Sequence, residues 1–127
     1  MNRSRILRFI ATACVVLGFV AHAGAQTAIT AKPVIEVVTL TLKSGVSHAE
    51  FAPVDQAVAS EHVSRQPGFV SRESAAGANG EWLVIVHWRS VADADASMAS
   101  FSSAPAARKF MSLIDPATMV MKRYQAQ

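Results

Sequence analysis

The chain has 127 residues, with 12 lysines and arginines against 9 acids, 51% hydrophobic residues and one cysteine. Arg3, Arg5 and Arg8 account for the whole net charge of +3, so the chain beyond Arg8 is balanced and no nucleic-acid partner is expected. One cysteine excludes a disulfide framework and a cysteine-based metal site.

The first stretch reads as an address. Met1–Ala25 places three arginines before an apolar run from Phe9 to Val20 and ends in Ala23-Gly24-Ala25, the layout of a secretory signal peptide. The apolar run is too short to span a bilayer and no stop-transfer segment follows, so no membrane association is expected after cleavage. Cleavage is expected after Ala25, with Ala23 as the alternative, giving a periplasmic or secreted protein of about 102 residues, enough for one domain. Cys14 leaves with the leader. Gln26–Pro33 reads as a flexible polar lead, and the domain runs from Val34 to Gln127.

Val34–Leu42 (VIEVVTLTL) is rich in β-branched residues and predicts a strand, with Glu36 the one charge among two mainly apolar rows. Ser47 and Glu50 then form a Ser-x-x-Glu capping box, and Phe51, Val54, Val58 and His62 recur at helical spacing. Pro53 lies past the first turn, predicting a kink or a late start. Gln66-Pro67-Gly68 stops this helix, and the more polar Phe69–Ala75 predicts an edge strand. Asn79-Gly80 signals a hairpin turn into the apolar strand Trp82–Trp88. Ser90, with Asp93 as reciprocal acid, caps a helix with Val91, Ala94, Met98 and Phe101 in its stripe. Pro105 opens a third, short helix with Phe110, Leu113 and Ile114 inward. Asp115-Pro116 ends it before a last strand, Thr118–Tyr124.

The order β-α-β-β-α-α-β predicts an α+β, ferredoxin-like split βαβ fold, a four-stranded antiparallel sheet with helices on one face. Val34–Leu42 and Trp82–Trp88 are apolar on both rows, so the face without helices also needs cover. A second copy of the chain is the expected cover, giving a homodimer; a monomer with an exposed ligand-binding sheet is the alternative.

Four runs carry a family resemblance: Gly45-Val46-Ser47, Gln66-Pro67-Gly68-Phe69, His87-Trp88-Arg89-Ser90, and Ser103-Ala104-Pro105 with Phe110. They resemble the antibiotic-biosynthesis-monooxygenase (ABM) group of dimeric α+β barrels over nearly all of Val34–Tyr124. The resemblance implies sheets packed face to face across a dimer, with a pocket in each subunit between sheet and helices. It also implies where chemistry would sit. The acid that oxygenase members often carry two positions before the strand Trp is Val86 here, and the second-helix His is Phe101. The Asn, Trp and His of haem-degrading relatives correspond to Val38, Trp88 and roughly Met111. These exchanges leave an apolar pocket lined by Val38, Val86, Trp88 and Phe101.

Glu36 is the candidate catalytic residue, either a pocket base or a carboxylate standing in water at the strand end. Trp88 is either a stacking wall for a flat ligand or a packing residue. His62 reads as partly buried packing, His48 as exposed, and His87 as turned away from Trp88, toward the helix side or a polar partner. Their spacing makes no metal site, and Met98, Met111, Met119 and Met121 read as flexible core filler. The functional expectation is a cofactor-independent monooxygenase acting on a small aromatic or quinone-like compound, with no bound cofactor. The alternative is a non-catalytic dimer that binds a small hydrophobic or aromatic ligand or is associated with stress. Haem binding ranks below both.

Overall fold

A computed structural model describes residues 31–127, so the expected leader lies outside the described residues. The elements are β1 (Val34–Leu42), α1 (His48–Glu61), β2 (Phe69–Ala76), β3 (Glu81–Trp88), α2 (Val91–Phe101), α3 (Pro105–Leu113) and β4 (Ile114–Gln125), with a short 3₁₀ turn at Val63–Arg65 after α1. All strand pairs are antiparallel and the sheet order is β2-β3-β1-β4. This is the predicted α+β ferredoxin-like arrangement, with the two doubly apolar strands in the centre and the polar β2 at an edge.

Local chemistry sets the boundaries. The Ala78–Glu81 turn closes with Glu81 N donating to the Ala78 carbonyl at 2.9 Å, and Asn79 and Gly80 take φ of 51° and 78°. Positive φ at both central residues suits the right-handed twist of the strands they join. The capping box at α1 is complete: Glu50 N donates to Ser47 Oγ, and Ser47 N donates to Glu50 Oε2. The helix therefore starts at His48 and continues through Pro53, without the expected late start. Pro53 and Ala49 both lie on the exposed side, where the carbonyl that Pro53 cannot bond is open to water. At α2, Ser90 Oγ accepts from Asp93 N. The Asp93 carboxylate, however, takes the Ser90 hydroxyl rather than closing the box on the backbone.

The end of the chain differs from the expectation. Ile114 is the first residue of β4, fully buried, and Asp115-Pro116 lie inside the strand. The β1–β4 register shifts between Thr39 and Thr41, and the irregularity holds the proline. Leu40 has no partner on β4 there, and Thr41 N donates to Thr118 Oγ at 2.9 Å beside the break. A proline is tolerated at such a place because the pairing is already broken and the strand is an edge.

The helices pack on the sheet row Val34, Glu36, Leu40 and Leu42 of β1 and Trp82, Val84, Val86 and Trp88 of β3, every one of them buried. Phe51 joins the layers. Its ring meets Trp82 edge-on at 5.1 Å and Phe110 at 4.9 Å between centroids. The opposite row, Ile35, Val37, Leu83, Ile85 and His87, is only half-buried. His87 thus lies on the open face and not on the helix side, which belongs to Trp88.

Candidate functional site

A cavity of about 440 Å³ lies between the helix-side row of the sheet and the three helices. That volume suits a small-molecule site. Strand β1 supplies Glu36 and Val38, β3 supplies Val84, Val86 and Trp88, and β4 supplies Met119 and Met121. Phe101 of α2 and Phe110 and Met111 of α3 close the helix side. Val38, Val86, Trp88 and Phe101, the positions expected to line a pocket, lie on one cavity together with Glu36. Strand alternation explains the sheet part, because residues two apart share a face.

Three methionines read as core filler are in fact at the opening. Met98, Met119 and Met121 line the cavity and are each 41% exposed. Unbranched thioether side chains make an adaptable apolar rim.

Of the two places expected for Glu36, the structure gives the cavity wall and not the open strand end. It is buried, so it does not stand in water, but Arg123 of β4 supplies a countercharge, with Nε donating to Glu36 Oε2 at 2.7 Å. The pairing follows from the register, which places Glu36 directly opposite Arg123. Arg123 also bonds the exposed Asp95 of α2. Partial burial works against its charge, but the bonds to Asp95 and Glu36 outweigh that and hold the guanidinium above its usual range.

A second ion pair escaped the sequence reading. Asp55 of α1 is 2% exposed and takes a two-pronged bond from Arg72, Nη1 to Oδ2 at 3.0 Å and Nη2 to Oδ1 at 2.5 Å. Ser74 Oγ donates to the same carboxylate at 2.7 Å. Arg72 lines the cavity because β2 carries a bulge at Val70: Phe69 pairs with Trp88, Ser71 with His87 and Arg72 with Val86. One extra residue turns both Phe69 and Arg72 to the helix side. Strict alternation would have put them on opposite faces. Asp55 could have been found from spacing, four residues after Phe51 and three before Val58, but a charged residue reads as solvent-facing until its partner is known.

The histidines do not build this site. His62 is buried with Nε2 3.3 Å from the Ser97 carbonyl and Nδ1 3.4 Å from Gln66 Nε2, a core imidazole with both nitrogens engaged. His48, expected to be exposed, is half-buried beside Trp82, and its Nε2 contacts the Glu81 carbonyl. Among the described residues no three His, Cys, Asp or Glu side chains gather as metal ligands. No described helix is long and apolar enough to cross a membrane.

Comparison with solved structures places this geometry. SnoaB, a cofactor-independent oxygenase from Streptomyces nogalater, superposes with a TM-score of 0.64 at 23% identity, covering 76% of this chain and 95% of that one. A candidate antibiotic biosynthesis monooxygenase from Chloroflexus aurantiacus gives 0.56 at 16% identity, covering 75% and 93%. Protein PA3566 from Pseudomonas aeruginosa gives 0.57 at 15%, covering 77% and 97%. The fold is ABM-like. No protein-family model matches the sequence, and neither does any curated protein. The ABM-like fold places the cavity between sheet and helices, where the resemblance of the four sequence runs implied a pocket.

Proposed function

We propose that the cavity binds a small aromatic or quinone-like molecule and that the protein oxidises it with molecular oxygen, without a bound cofactor. The observation that carries this reading is the meeting of Glu36 and Trp88 on one apolar cavity. An electron-rich substrate with an acidic C–H or O–H can react with oxygen itself once deprotonated. A ring CH₂ flanked by aromatic systems loses a proton to Glu36, the carbanion takes up O₂, and the resulting peroxide anion takes that proton back from Glu36. The hydroperoxide then loses water to leave a carbonyl, so one oxygen atom enters the product and one leaves as water. The protein's part is a dry pocket, a proton acceptor and a flat wall. SnoaB, which shares the fold, is a cofactor-independent oxygenase, and this supports the reading.

The rival reading is a binding protein without turnover. Its specific support is the Arg123 bond to Glu36, which occupies a carboxylate oxygen, and the apolar Val86 and Phe101 in the cavity wall. Oxygen uptake with a panel of anthrones, hydroquinones and polyphenols decides between them. Oxygenase activity predicts uptake above buffer that falls about 100-fold or more in Glu36→Gln, as expected on removing a general base, and also falls in Trp88→Ala. No uptake with any substrate, or equal uptake in both variants, leaves the binding reading.

The half-buried face of Ile35, Val37, Leu83 and Ile85, with exposed Val120 and Tyr124 of β4 beside it, supports a homodimer assembled sheet to sheet. The arginine-led apolar start supports export to the periplasm or medium. Mass spectrometry of the native protein should find a chain beginning near Gln26, and an intact Met1–Ala25 in the cytoplasm would overturn export.

A further inference from the structure

Asp55 and Glu36 are the two buried carboxylates among the described residues, and their arginines hold them differently. Asp55 has both oxygens taken: the Arg72 fork covers Oδ1 and Oδ2, and Ser74 Oγ adds a second donor to Oδ2. Glu36 is held by one oxygen only. Arg123 gives it Nε alone, on Oε2 at 2.7 Å, and spends Nη1 on Asp95 of α2. Glu36 Oε1 has no hydrogen-bond partner among the described residues, yet it is not sealed. The buried side-chain atoms there that are both unpartnered and closed to water are Arg72 Nε, Trp82 Nε1 and Trp88 Nε1. Glu36 is otherwise buried and stands in the cavity wall, so the space open to Oε1 is the cavity. Buried polar atoms normally find partners, and a carboxylate oxygen left without a donor marks a place where a proton can be received.

Resting on the oxidation proposed for this cavity, we infer that Asp95 and Arg123 are positioning residues that hold Glu36 by Oε2 and present Oε1 to the substrate as the proton acceptor. The fold carries the arrangement. The β1–β4 register sets Arg123 opposite Glu36, and α2 brings Asp95 to the same guanidinium. A guanidinium presents paired N–H groups that match both oxygens of a carboxylate, as Arg72 does with Asp55. Asp95 draws Nη1 away from that match, so the fork does not close on Glu36. The proton then has a defined course. The substrate C–H gives its proton to Oε1, the electron pair stays on carbon and bonds to O₂, and the proton returns from Oε1 to the peroxide anion. Arg123 neither gives nor takes a proton; it fixes the rotation of the carboxylate. The Asp95 side chain is 63% exposed, where a lone ion pair adds little to stability. An effect of Asp95 on turnover therefore separates positioning from folding.

The test measures oxygen uptake over a range of anthrone concentrations, so that kcat and KM separate. Asp95→Ala frees the fork to close on both Glu36 oxygens and is expected to lower kcat about fivefold or more, with KM within about twofold of wild type. Asp95→Glu keeps a carboxylate for Nη1 and should retain at least about half of the wild-type kcat. Arg123→Met should lower kcat about tenfold or more. Adding Asp95→Ala to it should change kcat by less than about twofold, because Asp95 acts only through the arginine. A merely structural Asp95 would give the same loss in both backgrounds. Wild-type kcat in Asp95→Ala, or an equal loss with and without Arg123, overturns the inference and leaves Glu36 standing as the base. Absence of uptake in the wild type, or full uptake in Glu36→Gln, overturns the oxygenase reading and the inference with it. Should Arg123→Met fail to fold, the contrast of Asp95→Ala with Asp95→Glu decides: loss in the first with recovery in the second upholds the inference, and equal loss in the two overturns it.

Discussion

The two faces of the sheet are almost equally apolar in sequence and unequal in structure. Along β3 the row Trp82, Val84, Val86, Trp88 is buried under the helices, while Leu83, Ile85 and His87 are half-buried. The covered face holds the cavity and both buried ion pairs; the open face holds Val120 and Tyr124, each about half exposed. The difference teaches that apolarity in a strand states a demand for cover without naming the cover. On one side this chain's own helices meet the demand. On the other, the proposed second copy meets it.

The largest expected effect separates the faces directly. Val84→Asp puts a charge under the helices with no partner and should cost on the order of 5 kcal/mol in chemical denaturation, enough to unfold most of the protein. Ile85→Asp, one residue away on the open face, should leave the subunit folded and shift the light-scattering mass toward monomer. Equal loss of folding in the two variants at concentrations where the wild type is monomeric would erase the distinction between the faces.

Next in size is the ion pair on the covered face. Asp55→Ala strands Arg72 in the interior and is expected to cost about 3–5 kcal/mol, whereas replacing Asp55 and Arg72 together by Leu and Met should recover most of it. Recovery would show that the pair is not kept for stability. A double variant as unstable as the single one would point to a structural role.

A smaller effect belongs to Gly68, whose φ is +78° and whose Cβ, if it had one, would lie 2.0 Å from the Asp93 carboxyl carbon. Gly68→Ala should cost about 2 kcal/mol from the left-handed backbone and the displaced cap, lowering the midpoint of thermal unfolding. The covered face should respond through α2, and the open face should not.

The smallest effect calibrates the others, at a capping box belonging to neither face. Hydrogen bonds from the Ser47 backbone and then its hydroxyl hold the exposed Glu50 carboxyl below its ordinary value of 4.5. A carboxyl depressed on folding stabilises the native state above its unfolded pKa, and that contribution disappears as pH falls through the lowered one. The thermal midpoint of the wild type should therefore exceed that of Glu50→Gln at neutral pH and down to about 4.5, and the gap should close below it. Ser47→Ala should cost about 1 kcal/mol.

Much of the fold was written in local chemistry that any neighbour would leave unchanged. Asn79-Gly80 at positive φ, the Ser47–Glu50 box and the Pro105 helix start act within a few residues, so element order and the two central strands could be read directly. The apolar wall of Val38, Val86, Trp88 and Phe101 followed from period-two alternation and from the family resemblance. Whatever depends on register was not legible. The bulge at Val70 moves Arg72 to the covered face, and only the pairing of β2 with β3 creates it. The register of β1 with β4 brings Arg123 to Glu36 across 87 residues and turns a lone carboxylate into an ion pair. Pro116 could enter β4 because the ladder was already broken beside Thr41. A side chain's identity settles what it can bond, but distant backbone pairing settles which face it joins and whom it meets, and in this protein that pairing brought Arg72 to the cavity and Arg123 to Glu36.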